Sequence, residues 1–259
     1  GSIDFASMGN TNGIIALSRG LDVELIWLHE ILGEIEALAV RKDSGIEKVE
    51  DLAGKSIATT FASTSHYSLL QVLNEAGIAD QVQLLDMQTV DIVAAWERGD
   101  IDAAYTWQPS LGSLLENGDM LVSSEQVASM GHQTANVLLA RKGFTEQYPE
   151  LTADFIAALI AGGNLYRENP EQAAAIVAAP LGITVENALG QMQGSIWLTA
   201  EEEISEAYMG TSETAGDFSK VMKATADFLL EQGSITESPS QEEFDAFINP
   251  KYIEMYLER

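Results

Sequence analysis

Residues 56–77, "SIATTFASTSHYSLLQVLNEAG", set the fold. The run "SIATT" reads as a short strand, and from Ser65 the apolar positions recur at three and four, as one face of a helix requires. Between them Ser63, Thr64, Ser65, His66 and Tyr67 crowd onto the helix start. One hydroxyl would cap that helix, so four of the five side chains need another reason. At a strand-to-helix junction several backbone N–H groups lack intrahelical acceptors, and the helix dipole adds partial positive charge. An anion can dock there without Lys or Arg, and extra hydroxyls add donors. The alternative is a heavily decorated cap with His66 exposed and Tyr67 packed.

The same alternation extends outward through the first half of the chain. "IDFASMG", "VELIWLHE", "ALAVRK", "VQLLDM", "AAYTW" and "NVLLARK" read as strands; "TNGIIALSRG" and "TVDIVAAWERGD" read as helices. In the last of these Ile92, Val93 and Trp96 form one stripe, which predicts a core role for Trp96. Strands alternating with helices imply α/β layering with largely parallel sheets. From about Thr145 only helical patterns follow, with Pro170 at a helix start and no Ser/Gly linker to mark an independent domain.

An internal echo relates the two halves of the α/β region. "GSIDFASMGNTNGIIAL" and, from Gly99, "GDIDAAYTWQPSLGSLL" share Gly, Ile, Asp and Ala in register, then a polar loop, then a helix. Read as a repeat, this predicts two similar lobes presenting "SMGNTN" and "TWQP" across a cleft at sheet carboxyl edges, where open α/β sheets take ligands. Read otherwise, G-x-I-D-x-A is common strand-entry wording.

Composition narrows the partners. The 259 residues are 46% hydrophobic, which is globular, yet 13 Lys and Arg face 40 Asp and Glu, a formal net charge of −27. Nucleic acid and anionic lipid surfaces are poor partners for such a chain; a solvated acidic surface accounts for the excess. No apolar run approaches the roughly 20 residues of a membrane span. Absence of cysteine excludes disulfides and thiolate chemistry. His29, His66 and His132 show no metal-ligand spacing, so neither a metal nor another cofactor is expected.

The segments "KSIATTFASTSHYSLLQVLNEAGI", "VDIVAAWERGDIDAAYTWQPSL", "EIEALAVRKDSGIEKVEDLAGK" and "SSEQVASMGHQTANVLLARKGFTEQYPEL" resemble the periplasmic taurine-binding proteins, in the nitrate/sulfonate/taurine branch of ABC-transporter substrate-binding proteins. The resemblance runs nearly end to end, in family order. It implies a two-lobed α/β fold of the periplasmic-binding-protein type II, and a monomer that closes by a hinge on a small organic sulfonate. It further implies an extracytoplasmic location and delivery of the ligand to a membrane permease and its ATPase. It places the lobe crossings at "EALAVRK" and "TANVLLARK", with residues 1–39 plus 135–259 in one lobe and 40–134 in the other. Family members carry a leader and a strand-helix-strand unit ahead of the element matching "GSIDFASMG", so that unit is expected to be missing here.

For a zwitterion such as taurine, Ser63, Thr64, Ser65 and Tyr67, with the amides of their turn, are the expected sulfonate donors, and His66 stands beside them. Asn10 and Thr11, at the matching helix start, complete the clamp. Trp107 and Gln108 follow a strand at the cleft edge, Trp107 either over a ligand methylene or ammonium group or in the core. Where taurine-binding members have Asp after "T-L", this chain reads "TAN": Asn136 offers only a carbonyl dipole to an ammonium group. Glu34 is then the expected source of the missing charge, unless the ligand differs. Glu36 begins a strand and is as readily structural as functional. Catalysis is not expected: the fungal-type thiamine-pyrimidine synthases that share this fold rely on a cysteine-rich motif, and Ser65 and His66, about 100° apart on a helix, form no triad.

Overall fold

The computed structural model describes residues 2–259. The chain forms two compact units: Gly1–Ile31 with Ala135–Gly190 and Ile196–Arg259, and Leu32–Thr134 with Gln191–Ser195.

The first unit holds β1 (Phe5–Gly9), α1 (Asn10–Ser18) and most of β2 (Val23–Leu32). The second begins with β3 (Glu36–Arg41), β4 (Ser56–Thr59) and α2 (Thr64–Glu75), and continues with β5 (Gln83–Asp86) and α3 (Thr89–Arg98). It ends with β6 (Ala103–Trp107), α4 (Ser110–Leu115), β7 (Gly118–Ser123) and α5 (Ser124–Ser129). The chain then returns to the first unit through β8 (Ala135–Arg141), α6 (Lys142–Gln147), α7 (Pro149–Glu168), α8 (Pro170–Leu181) and α9 (Val185–Gln193), whose end from Gln191 belongs to the second unit. The two-residue β9 (Ser195–Ile196), α10 (Ala200–Glu203), α11 (Asp217–Glu231), α12 (Gln241–Phe247) and α13 (Lys251–Leu257) complete it.

The strand-loop-helix reading of residues 56–77 holds; both copies of the internal echo are a strand followed by a helix, but β1 lies at the edge of its sheet and β6 in the middle of the other. The sheets are less parallel than expected. One runs β1-β8-β2-β9 and the other β5-β4-β6-β3-β7; within them β4 pairs in parallel with β5 and β6, whereas β8 runs antiparallel to β1 and β2, and β3 to β6 and β7. Helical crossovers make the parallel pairs, as geometry requires. β3 and β8 enter their sheets between strands already set in one direction and run against them. The expected boundary at residue 39 also moves, to Ile31/Leu32, because "EALAVR" pairs wholly within the second sheet.

Alternation along β3 divides the second unit's core. Leu38 and Val40 pack with Ile57, Leu69, Val72 and Tyr105, while Ala37 and Ala39 pack with Ala58, Ala104, Ile92 and Trp96. The alanines make room for Trp96, which is buried and donates its indole N–H to Asn117 at 2.6 Å. Gly99 closes α3 at φ 76°, a conformation side chains resist. The first unit packs Ile14, Leu28, Val137, Ile156, Phe218 and Phe244 into one core. α1 settles on β8 through Gly13, where a Cβ would already stand 3.4 Å from Val137.

β2 is not regular. Its pairing with β8 shifts between Leu25 and Trp27 and again between Leu28 and Glu30, two bulges that rephase the strand. The Leu28 N–H donates to Glu203 Oε2 at 3.1 Å, and Glu203 Oε1 takes no partner among the described residues. Burial holds the Glu203 carboxyl well above the usual range, opposed by the Leu28 hydrogen bond and reinforced by Glu202. Among the described residues no single helix is long and apolar enough to cross a membrane.

Candidate functional site

The start of α2 is occupied from within. Ser63 is the cap: its Oγ accepts from the His66 N–H at 3.2 Å and donates to the Thr60 carbonyl at 2.6 Å. Thr64 and Ser65, both buried, donate to Glu36 Oε2 at 2.5 and 2.8 Å, and Ser124 donates to Oε1 at 2.7 Å. Glu36 is 1% exposed, so its charge requires such donors. Burial, then the Glu36 charge, pushes the neighbouring Tyr105 phenol up. The surplus hydroxyls of the sequence therefore hold the protein's own carboxylate, and Glu36 is structural.

The other side chains of that turn are also engaged. His66 stacks on Phe61 with ring centroids 4.3 Å apart, and its Nδ1 accepts the Ala62 N–H at 3.3 Å. Burial lowers its pKa, partly opposed by Asp86, which favours neutral imidazole. Ala62 sits at φ 61°, the one non-glycine in the left-handed region among the described residues. Tyr67 is packed inside, its ring edge-on to His132 at 6.3 Å.

The start of α1 differs. Asn10 is fully buried, and its Oδ1 accepts the Ala135 N–H at 3.4 Å, which fixes the amide's orientation and leaves Nδ2 without a partner among the described residues. Thr11 is also fully buried and donates to Asn12 Oδ1 at 3.3 Å. The preceding Gly9 pairs with Asn136, and Asn136 pairs on its other side with Glu30, so Gly9, Asn136 and Glu30 stand abreast at one end of the sheet. Asn136 Nδ2 donates to Glu30 Oε1 at 2.7 Å. A backbone dipole, an unused amide donor and a carboxylate thus share one sheet end: donors for an anion and an acceptor for a cation.

The carboxylate beside Asn136 is Glu30; Glu34, the expected source of the missing charge, is exposed in the turn after β2. Gln108 spends its Oε1 on the Gly112 N–H at 3.1 Å, capping α4. Trp107 is half-buried at the end of β6, opposite Glu36 in register. Sequence reading missed Glu30, because only the bulge at the end of β2 sets it across from Asn136. It also missed Thr59 and Thr106, buried hydroxyls near the carboxyl ends of the parallel strands β4 and β6 with no partner among the described residues. Among the described residues no group of three His, Asp or Glu side chains is placed to hold a metal ion.

Comparison with known proteins gives this α/β arrangement a family. The family model described as NMT1/THI5 like matches residues 1–173. The chain is 36% identical over 242 residues to the taurine-binding periplasmic protein of Escherichia coli, covering 91% of this chain and 73% of that protein. Among solved structures, the periplasmic aliphatic sulphonate binding protein SsuA from Escherichia coli superposes with a TM-score of 0.77 at 22% identity, over 94% of this chain and 75% of that one. The desulfurization enzyme DSZB shares the fold with a TM-score of 0.65 at 18% identity, over 98% and 85% of the two chains. The chain belongs to the NMT1/THI5-like family. Its fold is that of the periplasmic binding proteins.

Proposed function

We propose that this chain is the extracytoplasmic solute-binding protein of an ABC importer, binding taurine or a related small organic sulfonate and delivering it to a membrane permease and ATPase. The observation that carries the reading is the buried, unpartnered Asn10 amide at the start of α1. A sulfonate oxygen is a natural acceptor for that donor, and the α1 dipole favours the negative charge. The 36% identity to a taurine-binding protein supports the same ligand class. The Ser63, Thr64 and Ser65 hydroxyls, engaged by the Thr60 carbonyl and Glu36, serve the fold in this reading. Neutral donors suit a chain of net charge −27, since the field at the site outweighs the distant average. No residue is assigned a catalytic role.

Calorimetric titration with taurine, alkanesulfonates, sulfate esters and nitrate tests this reading. Saturable binding of a sulfonate with the ligand recovered unchanged is expected. Conversion of the ligand to product, or binding of nitrate in preference to every sulfonate, would overturn it.

A further inference from the structure

We infer that Glu30 is the residue that selects a zwitterionic sulfonate over a plain one: its carboxylate, held by Asn136, receives the cationic end of the ligand. This rests on the sulfonate-binding reading above and adds the residue that reads the far end of the molecule.

The argument begins with the strand register. Leu28 pairs with Val137, and an unbroken antiparallel ladder would set Glu30 opposite Ala135. The bulge at His29 shifts the pairing by one, so that Glu30 meets Asn136 and Ile31 meets Ala135. Directly paired residues project to the same face, and the two side chains accordingly join at 2.7 Å. Asn136 donates through Nδ2, so its amide acts as a positioning group that orients one oxygen of Glu30. The second oxygen accepts from no described residue. Glu30 is half-buried, accessible to a guest yet shielded enough for its charge to count.

Placement fits the chemistry. Gly9, which precedes α1, and Glu30 lie on the two strands that flank β8, their backbones two strand spacings or roughly 10 Å apart, so the start of α1 and the Glu30 carboxylate share one end of one sheet, as the two ends of a short zwitterion require. Glu30 also acts by exclusion. A ligand with a sulfonate but no cation would place its tail beside an uncompensated carboxylate, which costs affinity. Asn136 alone could supply only a carbonyl dipole, and that carbonyl competes poorly with a full charge.

The test compares taurine with ethanesulfonate by calorimetry on the whole chain and on Glu30→Gln. Glutamine can still accept from Asn136, so the strand pairing and fold are retained; an unchanged thermal transition checks this. Taurine affinity is expected to fall about tenfold to a hundredfold, while ethanesulfonate binding stays level or tightens. Glu30→Asp, which restores the charge on a shorter stem, should recover part of the preference for taurine. Equal loss for both ligands, or no loss for taurine, would overturn the role of Glu30. The underlying reading fails differently: the unaltered chain would then bind neither sulfonate. Binding of ethanesulfonate with no preference for taurine leaves that reading intact and removes Glu30.

Discussion

Two helix starts, those of α1 and α2, look alike in composition and behave in opposite ways. α2 opens with three hydroxyls and an imidazole, α1 with Asn-Thr-Asn. At α2 the hydroxyls of Thr64 and Ser65 converge on Glu36, so the protein supplies its own anion beside the positive end of the helix. At α1 the fully buried Asn10 keeps one amide donor unused. A row of donors in a sequence is therefore a weak guide to a ligand. A buried donor whose partner the fold does not provide is a stronger one, because leaving it unmade costs free energy that a ligand can recover.

The sharpest way to break the comparison is Glu36→Ala. Removing the carboxylate takes the acceptor from the buried hydroxyls of Thr64, Ser65 and Ser124, of which Ser124 keeps the Tyr105 hydroxyl, and should destabilise the fold by about 2–5 kcal/mol in urea denaturation. A loss under 1 kcal/mol would mean that these hydroxyls are held by something else. Next comes Asn10→Ala, which should weaken sulfonate binding roughly tenfold to a hundredfold by calorimetry. It should also cost about 1 kcal/mol of stability for the Ala135 bond. Affinity left unchanged would take Asn10 out of the site.

Ser65→Ala tests the opposite side. It should lower stability by about 1–3 kcal/mol and leave sulfonate affinity within a factor of two, since its hydroxyl faces Glu36. A marked loss of binding with stability intact would return that hydroxyl to the ligand and erase the contrast between the two helices.

The smallest effect lies away from both sites and depends on pH. Burial raises the folded-state pKa of Glu203 above its ordinary value of 4.5. With a raised folded pKa, the unfolded chain loses its proton first as pH climbs. Stability from this group is thus complete below the ordinary carboxylate range and declines as pH rises through the raised value. Glu202 and Tyr208 are the titratable neighbours. Glu203→Gln should accordingly be more stable than the parent at neutral pH and no more stable near pH 4, read from thermal transitions at both. A gain of equal size at both pH values would assign it to packing instead.

The sequence by itself determined the strand-helix alternation, the core placement of Trp96 and the family. These are properties of hydrophobic period and collinear motifs, which survive in one dimension. It also singled out Asn10 and Asn136, through a matching helix start and a departure from the family's acidic residue. Only the tertiary structure decided what the donors face. Glu36 lies 28 residues before Thr64 and 88 before Ser124, and Glu30 lies 106 before Asn136. Whether a polar side chain serves a ligand or the fold depends on which distant group arrives beside it, and here a single-residue bulge in β2 made that choice for Glu30. A bulge leaves no local mark in alternating sequence, because it shifts which residues meet without changing what they are.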